Sequence, residues 1–351
     1  MYVTPAILSF LLTRADARTL GGAIGTRNCK VTENWPEWGS IKHAFIFGDS
    51  YTQTGFNYTL TPPSPSNPLG NPAYPGYTAS NGPNWVDYLT YKYNGSFLKT
   101  YNLAYGGATV DGDLVAPYMP SVLSLKQQIQ DEFLPGYTGD SPTAPEAPKW
   151  SGKDSLFALW IGINDVGNSF GLGANASDAL NARIFDVYAG LVSQLYAVGG
   201  RNFVFVNVPP VDRSPATMSQ GNASMAIEKA DIASWNRRVA GLANALKTNH
   251  TDEVNVWTYD SNASFGKVLD NPASYPQTAG LKNTTAYCEA YENGTDEDDT
   301  FIATCGIPVN QYFWLNSLHP TYPMHDVVAQ GVSEGLVAGP NTCGGVSSHL
   351  Y

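Results

Sequence analysis

Five short runs of apolar, β-branched and aromatic residues, at 43–47, 97–103, 156–161, 203–208 and 254–259, alternate with stretches of helical spacing. Most positions in these runs are apolar, β-branched or aromatic, without a strict polar alternation, so the strands are expected to be buried on both faces. That is the signature of strands in a parallel sheet rather than an antiparallel one. Between them, Trp85, Leu89 and Tyr93 recur at every fourth residue of 84–93, and Val122, Leu125, Ile129 and Phe133 mark one face of 121–133. Similar stripes run through 184–198, 228–246 and roughly 324–337. Strands and helices in alternation predict a three-layer α/β/α sandwich around a five-stranded parallel sheet. In such sheets ligands bind outside the carboxyl ends of the strands.

Each of the first three usable strand ends carries chemistry. The first runs into Gly48-Asp49-Ser50, where a turn presents a serine hydroxyl and its own N–H at one point. The second ends at Asn102 and reaches Gly106-Gly107, whose unobstructed N–H groups suit an oxyanion. The third ends at Gly162, with Asn164 and Asp165 just beyond. Near the C-terminus comes "WLNSLHPTYPMH", with His319 and His325; His325 falls in the last helical stripe, leaving His319 as the candidate base. Any one of these is an ordinary turn. Their order along the chain is what carries information.

That order resembles the GDSL/SGNH hydrolase superfamily, in "FGDS" at 47–50, "NLAYGGAT" at 102–109, "GIND" at 162–165 and "LHPT" at 318–321. Within it, the blocks and the size look like carbohydrate esterase family 16, fungal acetylesterases. The resemblance implies a flavodoxin-like sandwich and a serine esterase working through an acyl-enzyme. It makes Ser50 the nucleophile and His319 the base. The oxyanion hole is then formed by Ser50, Gly107 and Asn164. Gly107 is chosen over Gly106 because the family's glycine lies five residues after the strand asparagine. Asp49, Tyr51, Asp165 and Trp314, adjacent to these positions, are expected to touch substrate. Tyr74, Tyr77, Tyr105 and Tyr118 are expected, with Trp314, to line a carbohydrate-facing cleft.

One position departs from the family pattern. The triad aspartate three residues before the histidine is replaced by Asn316. An amide oxygen can orient an imidazole and fix its tautomer, but cannot neutralise the imidazolium; in serine proteases the acid-to-amide change costs about 10⁴ in turnover. Either Asn316 orients His319 alone, or Asp165, Asp212 or Asp326 reaches the ring in the fold, or position 316 is an inactivating change or a deamidation site. Two readings compete with the sugar esterase: a lipase or lysophospholipase of the same superfamily, and a disabled carbohydrate-binding protein.

The remaining features concern setting. Residues 1–17, with an apolar run at 5–12 and an A-x-A-like site at 15–17, read as a secretory signal peptide ahead of one domain at 27–351. Long Pro/Gly/Asn-rich insertions are expected near 56–82, 134–152 and 270–306. Eight N-glycosylation sequons occur, at Asn57, Asn94, Asn175, Asn222, Asn249, Asn262, Asn283 and Asn293. The four cysteines form no CxxC pair and are expected to pair as Cys288–Cys305 and Cys29–Cys343. Together these predict a secreted glycoprotein. With 30 acidic against 19 basic residues the formal charge is -11, which speaks against nucleic acid or an anionic membrane as partner. The expected partner is a small acylated sugar or oligosaccharide, bound by a monomer. Neither a metal nor a cofactor is expected, and "GGAIG" at 21–25 follows no strand, so it is no dinucleotide loop.

Overall fold

The structure is a computed structural model and describes residues 31–341. Strands β1 (His43–Gly48), β2 (Lys99–Asn102), β3 (Ser155–Trp160), β4 (Asn202–Val206) and β5 (Asn255–Tyr259) form one sheet in the order β2-β1-β3-β4-β5, all parallel. The helices are α1 (Trp85–Tyr91), α2 (Leu125–Gln127), α3 (Leu134–Tyr137), α4 (Ile163–Ser169), α5 (Ala174–Ala197), α6 (Pro215–Met218), α7 (Asn222–Asn249), α8 (Ser261–Asp270) and α9 (Tyr322–Ala338). A π-helical turn, Gln128–Phe133, joins α2 to α3.

Right-handed crossovers explain the layering. The step from β1 to β2 runs one way along the sheet and carries α1. Every later step runs the other way, which puts the segment 125–137, α5 and α7 on the opposite face. The chain returns to the first face only after β5, where α8 packs on α9 and α9 packs on α1. Reversal of direction between β1 and β3 creates the switch point of a flavodoxin-like sheet, where the crevice for a ligand opens.

Alternation along β1 sends Phe45 and Phe47 to the face covered by the π-helical turn. Phe45 is fully buried and stacks on Tyr101 and Phe157, with Phe133 edge-on at 5.0 Å between ring centroids. The aromatic content thus goes first into the core. Helix α7 is longer at both ends than its apolar stripe at 228–246, and α5 begins ten residues before 184. The expected helix at 121–133 is instead short α and π pieces starting at Leu125. Helices α4 and α8 escaped the periodicity argument because each is short.

Apart from α3 at the start of the second, the expected insertions are irregular chain with scattered 3₁₀ turns. The last contains the Cys288–Cys305 disulfide, and its Tyr291 and Cys305 join Val309, Tyr312 and Leu315 in a satellite core. The 1–17 segment, Cys29 and Cys343 lie outside the described residues. None of the eight sequon asparagines is buried. Among the described residues no helix is long and apolar enough to cross a membrane.

Phe45→Ala removes the centre of the aromatic cluster. It is expected to cost about 3–5 kcal/mol of unfolding free energy, measured by urea denaturation. A loss below ~1 kcal/mol would mean the sheet does not depend on this stack.

Candidate active site

The turn after β1 is held from several sides. Gln128, fully buried, accepts from the Gly48 N–H through Oε1 (3.0 Å) and donates through Nε2 to the Gly48 carbonyl (2.9 Å). Gly48 itself has no room for a side chain: a Cβ would stand 2.4 Å from the Trp160 carbonyl oxygen. Asn84, the N-cap of α1, donates to the carbonyls of Thr52 and Gln53, and Asn102 donates to Thr52 as well. Ser50 therefore sits on a turn with little freedom to move.

Its hydroxyl lies 2.7 Å from His319 Nε2. On the other side of the ring, Nδ1 is 3.0 Å from Asn316 Oδ1. That oxygen also accepts the backbone N–H groups of Leu318 (3.1 Å) and His319 (2.9 Å), while Asn316 Nδ2 reaches the Glu292 carbonyl at 3.4 Å. An amide nitrogen cannot stand where the two backbone N–H donors converge, so it is the oxygen that faces the ring. His319 then carries its proton on Nδ1 and offers Nε2 to the serine.

None of the alternative carboxylates takes this place. Asp165 accepts from the Val110 N–H at 3.0 Å. Asp326 pairs with Lys92 at 2.7 Å and with the Tyr93 hydroxyl. Asp212 lies beside Lys229 and Arg213. Burial alone lowers the His319 pKa, to about 4, with no carboxylate lifting it back.

Four candidates for substrate contact are corrected. Asp49, Tyr51 and Asp165 are 0% exposed and Trp314 is 1% exposed, and none borders either of the two clefts beside His319. Their work is scaffolding. Asp49 accepts from the Tyr51 N–H at 3.0 Å and so braces the serine turn from within. Asp165 ties α4 to the chain beyond Gly107. The Tyr51 hydroxyl donates to the Leu318 carbonyl at 2.5 Å, linking the serine turn to the histidine loop. Trp314 donates to the Thr284 carbonyl and anchors that loop beneath. Desolvation pushes both Asp49 and Asp165 up to about 7. His325, fully buried in α9, is likewise lowered by burial.

Gly107 sits at φ +83, and a Cβ there would be 2.2 Å from the Tyr118 ring. Among the described residues, the N–H groups of Ser50 and Gly107 donate to no protein acceptor. Asn164 Nδ2 spends one hydrogen on the Ala108 carbonyl (2.9 Å) and keeps the other. All three border a cleft of about 850 Å³ with His319, Tyr77, Tyr105 and Tyr118. A second cleft of about 680 Å³ opens beyond His319, bordered by Tyr74, Asn81, Asn293 and Asn316. Sequence reasoning missed Gln128 and the cleft wall it anchors. Only the unexpected π turn would have revealed them.

A serine bonded to an imidazole at a sheet's switch point, with free donors around it, is the constellation of a serine hydrolase. The comparisons agree with that class. The sequence model of the GDSL-like lipase/acylhydrolase family matches residues 45–332, so the chain belongs to that family and is a carboxylic ester hydrolase. An acetylesterase of Thermothelomyces thermophilus is 36% identical over 331 residues, covering 93% of this chain and 97% of that protein. A phosphatidylcholine-sterol acyltransferase of Aeromonas hydrophila is 28% identical over 69% of this chain and 64% of its own length. A solved acetylxylan esterase from Geobacillus stearothermophilus aligns over 86% of this chain and 96% of its own, at 16% identity and a TM-score of 0.44.

The pH dependence follows from the lowered base. With His319 as the general base, only its neutral ring is active, so kcat/KM is expected to hold as pH falls and to drop only near pH 4. Asn316→Asp adds a charge that favours the imidazolium. It is expected to raise kcat several-fold at pH 8 and to move the acid limb up by roughly one to three units. An acid limb unchanged by the substitution would show that Asn316 does not govern the ring.

Proposed function

We propose that this chain is a secreted esterase that removes short acyl groups, acetyl above all, from sugar hydroxyls. The observation that carries the proposal is the aligned set Asn316 Oδ1, His319 and Ser50 Oγ, at 3.0 and 2.7 Å, facing an open cleft. Ser50 Oγ attacks the ester carbonyl carbon as its proton passes to His319 Nε2. The oxyanion accepts hydrogen bonds from the Ser50 and Gly107 N–H groups and from Asn164 Nδ2. Collapse breaks the C–O bond to the sugar, and the imidazolium returns the proton to the leaving alkoxide. Water, activated by the same nitrogen, then hydrolyses the acyl-enzyme and restores Ser50.

Asn316 keeps the base in the right tautomer but leaves the imidazolium without a counter-charge. The cost falls on kcat, and the gain is a base that stays neutral in acid. The acyl preference is supported by the acetylesterase relative. Exposed Tyr77 and Tyr118 at the cleft mouth offer flat faces on which sugar rings stack. Secretion is supported by accessible sequons and by the Cys288–Cys305 disulfide, which favours an oxidising compartment.

The test is release of acetate from an O-acetylated disaccharide by the wild type and by Ser50→Ala. Turnover by the wild type with none above blank for the variant is the expected result. Equal rates would overturn the nucleophile assignment, and activity confined to long-chain esters would favour a lipase. Asn164→Ala is expected to lower kcat about 10²–10³-fold while KM changes little, since that donor acts on charge formed in the transition state.

A further inference from the structure

The cleft beside Ser50 has a single carboxyl group in its wall, Glu132. The rest of the lining is amide, aromatic, aliphatic and glycine, apart from Ser50 and His319 themselves. Glu132 is part-buried, and among the described residues it has neither a hydrogen-bond partner nor a cation. Desolvation pushes its carboxyl up to about 7, and the adjacent Asp131 adds to the rise.

The position of Glu132 follows from the π-helical turn. At one end of the turn, Gln128 is locked onto both polar groups of the Gly48 backbone. At the other, Phe133 is fully buried against Phe45 and Phe47. With both ends tied, Glu132 is the residue of this turn that reaches the cleft. Single π turns of this kind occur often at functional sites.

A carboxyl partly withdrawn from water and without a protein partner is less well satisfied than a free one, and it gains when a ligand brings donors. A sugar ring brings several hydroxyl groups. An alkyl chain brings none and takes away the water that remains. We propose that Glu132 selects the substrate: it accepts hydrogen bonds from hydroxyls of the sugar and makes the cleft unfavourable for long acyl chains. This rests on the reading of Ser50 as the nucleophile of a sugar esterase, and it assigns a residue that the reaction itself does not use.

The experiment compares wild type, Glu132→Gln and Glu132→Leu on three esters: an O-acetylated neutral disaccharide, para-nitrophenyl acetate and para-nitrophenyl octanoate. Thermal melts establish that the variants fold. With Glu132→Leu, kcat/KM on the sugar ester is expected to fall on the order of tenfold, mainly through KM, and octanoate hydrolysis to rise. The small aryl acetate is expected to change less than about twofold, and Glu132→Gln to lie between wild type and Glu132→Leu. A parallel fall on sugar ester and aryl acetate would overturn the proposal, because Glu132 would then support the serine turn. So would a sugar-ester rate that needs Ser50 but ignores Glu132. A wild type active on aryl acetate and inert on the sugar ester would instead remove the sugar reading, and this proposal with it.

Discussion

Asn316 Oδ1 accepts three N–H groups at once, from Leu318, from His319 and from the His319 ring. Two of the donors belong to the tight turn of the histidine loop itself, so the loop orients the amide before any distant group contributes. The amide in turn fixes which ring nitrogen carries the proton. From that follows the direction of the Ser50 hydrogen bond and, in the proposed reaction, the availability of a nucleophile. The scaffold behind the site serves to keep this alignment. Tyr51 ties the serine turn to the Leu318 carbonyl, Gln128 holds the Gly48 backbone at the end of β1, and Asp49 braces the turn from within.

Burial governs the electrostatics. The same desolvation that lowers His319 and His325 raises Asp49, Asp165 and Glu132. Charged forms are disfavoured on every side of the serine turn. In such surroundings hydrogen bonds to a developing oxyanion are strong. The unpaired imidazolium is correspondingly expensive, which is where an aspartate would help. An aspartate at 316 would also set its second oxygen against the Glu292 carbonyl, the group that Asn316 Nδ2 now meets. The amide suits the local backbone while giving up counter-charge.

Much of this was legible in the sequence because a parallel sheet collects strand ends. Ser50, the Gly106-Gly107 pair and Asn164 each follow a strand closely, so reading the strands placed them at one edge of the sheet, and the family resemblance selected Gly107 and implied the roles. His319 needed only elimination among five histidines. Proximity in sequence misled where it stood in for proximity in space. Asp49 and Tyr51 flank the serine, yet the turn beyond β1 folds both side chains into the core, and Trp314 is sealed beneath its loop. Gln128 and Glu132 were illegible for another reason. Their stretch shows helical spacing, and a π turn changes the register without changing the apolar pattern. The Asn316 alternatives could not be decided without the fold, because Asp165, Asp212 and Asp326 are distant in sequence and each settles elsewhere.

The central claim is that a neutral histidine, oriented by an amide, serves as the base. The most direct test is the ¹⁵N chemical shifts of the His319 imidazole, followed from pH 8 to pH 4. The expected spectrum shows a proton fixed on Nδ1, an unprotonated Nε2, and no titration until close to pH 4. A ring that titrates near its ordinary value of about 6.5, or that carries its proton on Nε2, would contradict the account.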